Sequence, residues 1–282
     1  MRRQLRKLVR WLIPQPVIRF VWNGFSDLSD LPRRLAGRHP PQPFRVVHNV
    51  GGGDYHAIGR YYVDSISRRV DFKPGGHVLD IGCGTGRIAA PLIARMDAGG
   101  RYTGFDVSSR AIGWARRHVA SETASVSFIH VDLNNSEYNR SGREKASAFR
   151  FPAENEDVDV AIATSLYSHL LADEAVHFLK ETARVLKPGG RAVITAFLMT
   201  PEILERVKCG AAQVAFKPFA EGSYTTEPRT PEEAIAFDET LFFDWVRAAG
   251  LTSAVPVERG AWSSDKTEGA LQDWLVLEKP GG

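Results

Sequence analysis

An α/β fold with a mostly parallel sheet and helices on both faces is predicted by three observations. From residue 54 onward, short apolar runs bounded by glycine or polar residues alternate with segments of helical periodicity. Alternation at this spacing is the pattern of a sheet buried on both sides. The first apolar run, Val78 to Ile81, ends in a glycine-rich turn that opens directly into a helix.

The elements follow in order. Asp54–Val70 reads as a helix, His77–Ile81 as a strand, Gly86–Met96 as a helix and Tyr102–Phe105 as a strand. Ser108–Ala120 reads as a helix capped by Ser108 or Ser109. Val126–Val131 is a strand, and residues 133–152 form a long polar connection. Val158–Ala163 is a strand, and Ala172–Leu186 a helix closed by Pro188-Gly189-Gly190. Arg191–Phe197 is a strand. Residues 198–237 are of mixed composition, with Phe216, Phe219 and Tyr224 between prolines. Asp238–Ala249 is a helix ended by Gly250, Leu251–Val257 a strand, and Trp274–Glu278 a last strand, preceded by a loop from Trp262 through Lys266. Sheets of this kind bind ligands at the carboxyl ends of their strands, where the strand order reverses.

The 282 residues suit one domain with extensions, and 43% hydrophobic content suffices for a packed core. Cys83 and Cys209 stand in no metal or redox spacing, which predicts neither a disulfide framework nor a metal site and fits a reducing cytoplasmic setting. Charge is uneven. Residues 1–45 carry ten Lys/Arg against Asp27 and Asp30, a net of +8, while the remaining 237 residues carry a net of −5. Leu5, Leu8, Val9 and Leu12 recur at helical spacing opposite Arg3, Arg6, Lys7 and Arg10, so residues 2–13 read as a basic amphipathic helix with Trp11 at the edge of its apolar stripe. A second apolar stretch runs from Val17 to Phe25, and Leu31 to Phe44 reads as a linker. Residues 1–53 thus form a helical arm and linker on a domain of residues 54–282. No stretch approaches the ~20 apolar residues of a membrane span, and the interrupting basic residues argue against a cleavable signal. An arm of this type suits an anionic membrane surface through residues 1–25, or packs on the core or a second subunit. The body carries no basic stripe, so nucleic acid is not a predicted partner.

The glycine turn reads Asp80-Ile81-Gly82-Cys83-Gly84-Thr85-Gly86-Arg87. A dinucleotide fingerprint would place its third glycine at position 87, which is arginine. Asp80 would repel a pyrophosphate but suits a ligand bearing an ammonium and a sulfonium. This turn resembles motif I of the class I, Rossmann-like S-adenosylmethionine-dependent methyltransferases. The resemblance extends over roughly residues 54–280. It includes Asp106 at the end of the second strand, Asp132-Leu133 after the third, Phe151-Pro152 and Asp157-Val158-Asp159-Val160 leading into the fourth, and Arg184 through Gly190 before the fifth. It implies a seven-stranded sheet whose last strand is antiparallel, and S-adenosyl-L-methionine as cofactor. It further implies that Asp80, Gly82, Cys83, Gly84 and Gly86 line the cofactor's amino-acid part. Asp106 and Val107 would lie at the ribose, Asp132 and Leu133 at the adenine, and Ser165 at the exit of the fourth strand.

Methyl transfer from a sulfonium is an in-line displacement in which the protein mainly aligns the partners. An oxygen acceptor usually needs a base, and a neutral amine needs less. The base candidates lie in Ser165 to Leu170: His169, which could instead cap or pack a short helix, and Tyr167, which could instead wall the cofactor pocket. Tyr55 and His56, after Gly51-Gly52-Gly53, are candidates for a segment closing over the cofactor, or for a plain hinge and helix start. Residues 198–237 are the expected substrate-side addition. The acceptor is expected to be a small molecule, lipid or glycan. Competing readings are a non-catalytic cofactor-binding, membrane-peripheral module and a nicotinamide-dependent oxidoreductase.

Overall fold

The computed structural model describes residues 55–136, 138–264 and 269–281, together with Leu31, Pro32 and Leu35. The basic amphipathic helix, the stretch from Val17 to Phe25, the three glycines with Asp54, and Asp265-Lys266 lie outside the described residues. Leu31, Pro32 and Leu35 are helical and exposed where composition predicts linker.

Helix α1 spans Tyr55–Ser67. It is followed by β1 (His77–Ile81), α2 (Ala89–Ile93), β2 (Arg101–Asp106), α3 (Ser109–His118), β3 (Ser125–His130), β4 (Val158–Ala163), α4 (Ala172–Val185) and β5 (Leu186–Ala196). A second group comprises β6 (Leu198–Met199), α5 (Pro201–Lys208), β7 (Lys217–Ala220), β8 (Ser223–Thr225) and β9 (Ile235–Asp238). The chain then returns through α6 (Glu239–Ala248), β10 (Thr252–Ser253) and β11 (Asp273–Glu278).

The main sheet has seven strands in the order β10-β11-β5-β4-β1-β2-β3. Pairs among β1 to β5 are parallel, and β11 runs antiparallel to both β5 and β10. Successive side chains of a strand face opposite layers, and β1 divides accordingly. Leu79 and Ile81 join the layer under α4 and α6 with Ala161, Ile194 and Leu275. Val78 joins the layer under α1, α2 and α3 with Tyr102, Ile162 and Val276. Asp80 shares the parity of Val78, which brings its carboxylate to Tyr102.

Several predicted boundaries shift for physical reasons. Helix α2 is shorter than predicted because Gly86 sits at φ +76°, outside helical space, and delays its start. Pro188-Gly189-Gly190 does not close a helix as a separate turn. It forms the irregular start of β5, with Gly189 at φ +77° and a register shift opposite Val158 and Val160. The strand predicted at Leu251–Val257 is only Thr252–Ser253, since Pro256 has no N–H to donate and Val255 is exposed. Within residues 133–152 the chain makes two isolated bridges, Leu133 to Glu144 and Asn135 to Asn139, and a 3₁₀ turn at Ala146–Ala148.

Residues 198–238 hold a four-stranded sheet in the order β6-β9-β8-β7. Its small core joins Phe197, Met199, Ile203, Phe216, Ala236 and Trp262. Asp273, fully buried at the start of β11, ties this layer to the main sheet. It accepts from the Leu198 N–H at 3.0 Å, the Gly260 N–H at 2.8 Å and the Trp262 indole N–H at 3.0 Å. No helix among the described residues is long and apolar enough to cross a membrane.

Candidate active site

A cavity of about 550 Å³ opens at the carboxyl ends of β1, β2 and β4, where the strand order reverses. That volume lies in the range of sites for small organic ligands. Its floor is the glycine turn, pinned to β2 because the Gly82 and Cys83 N–H groups both donate to the Phe105 carbonyl, at 2.9 and 3.1 Å. Gly82 and Gly84 have φ of +76° and +54°, a conformation that side chains strain. A Cβ at Gly82 would also sit 3.2 Å from Leu166 Cδ1 on the cavity wall.

Asp80 faces this cavity and is almost wholly buried. Burial pushes its carboxyl up to about 7, opposed by the Tyr102 hydroxyl, which donates to it at 2.6 Å, and reinforced by the negative charge of Asp106. A cation bound here would relieve that penalty. Asp106 accepts the Gly84 N–H at 2.9 Å on one oxygen and the Ser108 N–H at 2.7 Å on the other. Each carboxylate oxygen retains a further acceptor site, so Asp106 can still receive ligand hydroxyls at the cavity wall. Burial is the main cause raising its carboxyl above the usual range. The residues present thus fit a ligand with an ammonium at Asp80 and a diol at Asp106.

The structure places the remaining predicted residues as follows. Cys83, Val107, Leu133, Ser165 and His169 line the cavity together with Asp80, Gly82, Gly84 and Asp106. The Cys83 thiol is pushed up by burial and by the charges of Asp80 and Asp106, which disfavours its thiolate. Ser165 turns the chain at φ 54°, with its N–H donating to Thr195 Oγ1 at 2.7 Å.

Five candidates take other roles. Gly86 packs away from the cavity: a Cβ there would lie 3.1 Å from Val119 Cγ2 and 3.5 Å from Phe128. Asp132 is not in the wall, because its carboxylate accepts from Arg143 Nε at 2.6 Å and from Asn139 Nδ2 at 3.3 Å, closing the 132–144 loop. Tyr167 is fully buried in the core, edge-on to Phe242 at 5.8 Å between ring centres. Tyr55 does not reach the wall: its buried hydroxyl lies 3.2 Å from the Thr85 carbonyl and 3.1 Å from Thr85 Oγ1, against the glycine turn. His56 packs edge-on against Tyr55 outside the cavity wall. Phe216, Phe219 and Tyr224 do not reach the wall either; Phe216 is buried between Phe197 and Trp262.

Sequence reasoning missed Ile58, Tyr62, Arg87, Asn135, Tyr138 and Leu271, all on the wall. Ile58 and Tyr62 stand four residues apart on one face of α1, a spacing visible in the sequence. Arg87 lies over the Tyr62 ring at 5.9 Å. Tyr138 and Asn135 come from a loop with no periodicity, so nothing local marks them.

His169 is held on both sides. Its Nδ1 faces the Glu232 carbonyl at 2.8 Å. A carbonyl only accepts, so Nδ1 carries the proton and, in the neutral ring, Nε2 is the acceptor. The Tyr138 hydroxyl approaches Nε2 at 3.3 Å. The Asn135 amide donates to the His169 carbonyl at 3.1 Å.

The fold and the glycine turn are similar to those of the class I, Rossmann-like S-adenosylmethionine-dependent methyltransferases, and the matches that follow point to the same family. Residues 78–190, the stretch from β1 into β5, match the family described as "Methyltransferase domain". Nocamycin O-methyltransferase of Saccharothrix syringae is 30% identical over 193 residues, covering 65% of this chain and 62% of that protein. An O-methyltransferase of Pyrenophora dematioidea is 31% identical over 136 residues, covering 48% of this chain and 44% of that protein. The chain therefore spans less than two thirds of these relatives' lengths. Among solved structures, a SAM-dependent methyltransferase from Methanosarcina mazei shares the fold at TM-score 0.51 and 20% identity, covering 77% of this chain and 98% of that one. So does the 1,6-didemethyltoxoflavin-N1-methyltransferase of Burkholderia thailandensis, with bound 1,6-didemethyltoxoflavin and S-adenosylhomocysteine, at TM-score 0.51 and 18% identity over 80% of this chain and 79% of that one.

Proposed function

We propose that this protein transfers the methyl group of S-adenosylmethionine to a hydroxyl of a small-molecule acceptor. The observation that carries the donor is Asp80: a buried carboxyl, raised by desolvation, facing the cavity beside a second acid. Such a pair suits an amino-acid ammonium and a ribose, and repels the pyrophosphate of a nicotinamide cofactor. Asp80 would hold the ammonium, Asp106 the ribose hydroxyls, and Cys83 and Leu133 would pack on the remainder. The donor supplies an activated methyl group, and the protein aligns the acceptor and shuts out water.

The hydroxyl acceptor is supported by His169, whose tautomer leaves a basic nitrogen on the same cavity wall. An oxygen nucleophile benefits from such a base, whereas a neutral amine does not need one. Two relatives bear names of the same kind, nocamycin O-methyltransferase and ubiquinone biosynthesis O-methyltransferase. Calorimetric titration with S-adenosylmethionine, S-adenosylhomocysteine and NAD tests the donor: binding of both adenosyl compounds and not NAD is expected, and binding of NAD alone sinks the reading. An acceptor panel that pairs each hydroxyl compound with its amine counterpart, and includes lipids and glycans, tests the acceptor. Turnover confined to the amines would refute the oxygen assignment.

Attachment of residues 1–25 to an anionic membrane is a separate proposal, supported by the +8 arm alone. Equal pelleting of the full chain and a variant lacking those residues with anionic vesicles would dismiss it.

A further inference from the structure

The turn Pro231–Glu233 of the four-stranded layer packs against the Tyr167–His169 turn, whose His169 lines the cavity. Glu232 there is buried and uses two different groups on two different parts of the site. Its backbone carbonyl accepts a hydrogen bond from the His169 Nδ1–H at 2.8 Å. Its carboxylate receives the Ser136 N–H, at 3.2 Å to each oxygen, and the Ser136 hydroxyl. Ser136 lies two residues before Tyr138, in the turn where Asn135 Oδ1 accepts the Tyr138 N–H at 3.0 Å and the Asn135 amide donates back to the His169 carbonyl. The Tyr138 ring then stands edge-on to the His169 ring at 5.1 Å. Two loops far apart in sequence, 135–139 and 167–169, are thereby set against each other by one glutamate from a third segment.

We propose that Glu232 is a positioning residue that holds His169 and Tyr138 as a single proton-accepting pair. The inference rests on the methyl-transfer reading of the cavity and names what prepares its base. The acceptor O–H proton passes to the Tyr138 oxygen while the Tyr138 proton passes to His169 Nε2. The acceptor oxygen forms the new bond to the methyl carbon, and the sulfur keeps the electron pair of the broken C–S bond. The positive charge lost from sulfur reappears on the imidazolium, whose Nδ1–H already points at a carbonyl dipole. The carbonyl fixes the tautomer, the carboxylate fixes the loop that carries Tyr138, and neither group touches the acceptor.

The test is nitrogen NMR of the full chain labelled with ¹⁵N-histidine, with His169→Asn assigning the signal. Wild-type protein is expected to show His169 protonated at Nδ1 and bare at Nε2 in its neutral form. A ring protonated at Nε2 would overturn the proposal. Glu232→Ala, which keeps the backbone carbonyl but removes the carboxylate that holds Ser136, is expected to free the loop and move the Nε2 signal as Tyr138 leaves it, with Nδ1 still protonated. Ser136→Ala, a milder change that removes one hydroxyl donor, is expected to shift the Nε2 signal while Nδ1 stays protonated. Wild-type histidine spectra in both variants would show that Glu232 is structural only and refute the assignment. S-adenosylhomocysteine titration of the same samples separates the two levels. Unchanged affinity with altered Nε2 signals in the variants supports the positioning role, while failure of wild-type protein to bind refutes the methyl-transfer reading and leaves the histidine result to be judged by itself.

Discussion

Asp80 carries two opposed demands, and its substitution separates them. Its folded value of about 7 lies above the ordinary 3.8, with burial the largest cause. The folded state thus holds the proton more tightly than the unfolded chain, so the associated stability is present below the ordinary value and is lost as pH rises towards 7. Asp80→Asn retains an oxygen to accept from the Tyr102 hydroxyl and removes the buried charge. Thermal melts at about pH 8 are therefore expected to show equal or higher stability for the variant, while calorimetry shows donor affinity weakened by about 1.5–3 kcal/mol, the scale of a hydrogen bond to a charged group. Donor affinity of the wild type should likewise strengthen from about pH 5.5 to 7.5 as Asp80 ionises; a flat profile would remove Asp80 from the ammonium site. Asp106→Ala makes the complementary case. It removes the partner of two backbone N–H groups as well as the diol acceptor, so affinity falls by about 1–3 kcal/mol and stability falls with it. Unchanged affinity in calorimetry would take Asp106 out of the site.

Gly86→Ala tests the turn between β1 and α2 as a packing unit. The position sits at φ +76°, and an added Cβ would press on Val119 of the α3 terminus. Denaturant melts should show a loss of about 1–3 kcal/mol from strain and crowding, with donor affinity of the folded fraction preserved, because Gly86 does not line the cavity. A variant of normal stability that fails to bind would return Gly86 to the cofactor site. The same turn shows what was legible in sequence. The strand, its alternate glycines and Asp80 could be read because turn chemistry and strand parity are local rules. The orientation of Gly86 could not, since it depends on Val119, thirty-three residues away. The burial of Tyr167 and Tyr55 was not legible either, since an aromatic near a predicted site looks the same in sequence whether its ring faces the ligand or the core. The strands β6 to β9 went unrecognised because runs of two to four residues carry too little alternation to register. Glu232 escaped notice entirely, as its role lies partly in a backbone carbonyl that any residue would supply.

At the scale of the whole molecule, the two sheets are joined where β5 passes into β6, and Asp273 is the polar node of that junction. Its carboxylate is fully buried and receives three N–H groups: Leu198 opening β6, Gly260 before the Trp262 turn, and the Trp262 indole within the smaller core. A neighbouring chain of bonds runs from Gln272 to both Thr195 and Ser168, and Thr195 also receives the Ser165 N–H at the cavity wall. The junction thus connects the accessory layer to the turn that carries His169. Replacing Asp273 by alanine leaves three buried donors without their acceptor, each worth about 1–3 kcal/mol when orphaned, so a loss of more than ~3 kcal/mol is expected. The loss should be uneven. The β1, β2 and β4 ladders make no direct use of Asp273, whereas β6, which pairs with β9, donates to it through the Leu198 N–H. Hydrogen exchange of Asp273→Ala should therefore show residues 198–238 losing protection well before the central strands. If both layers lose protection together, the two sheets form one cooperative unit. The accessory layer would then be part of the fold's stability and not a separable platform for the acceptor side of the cavity.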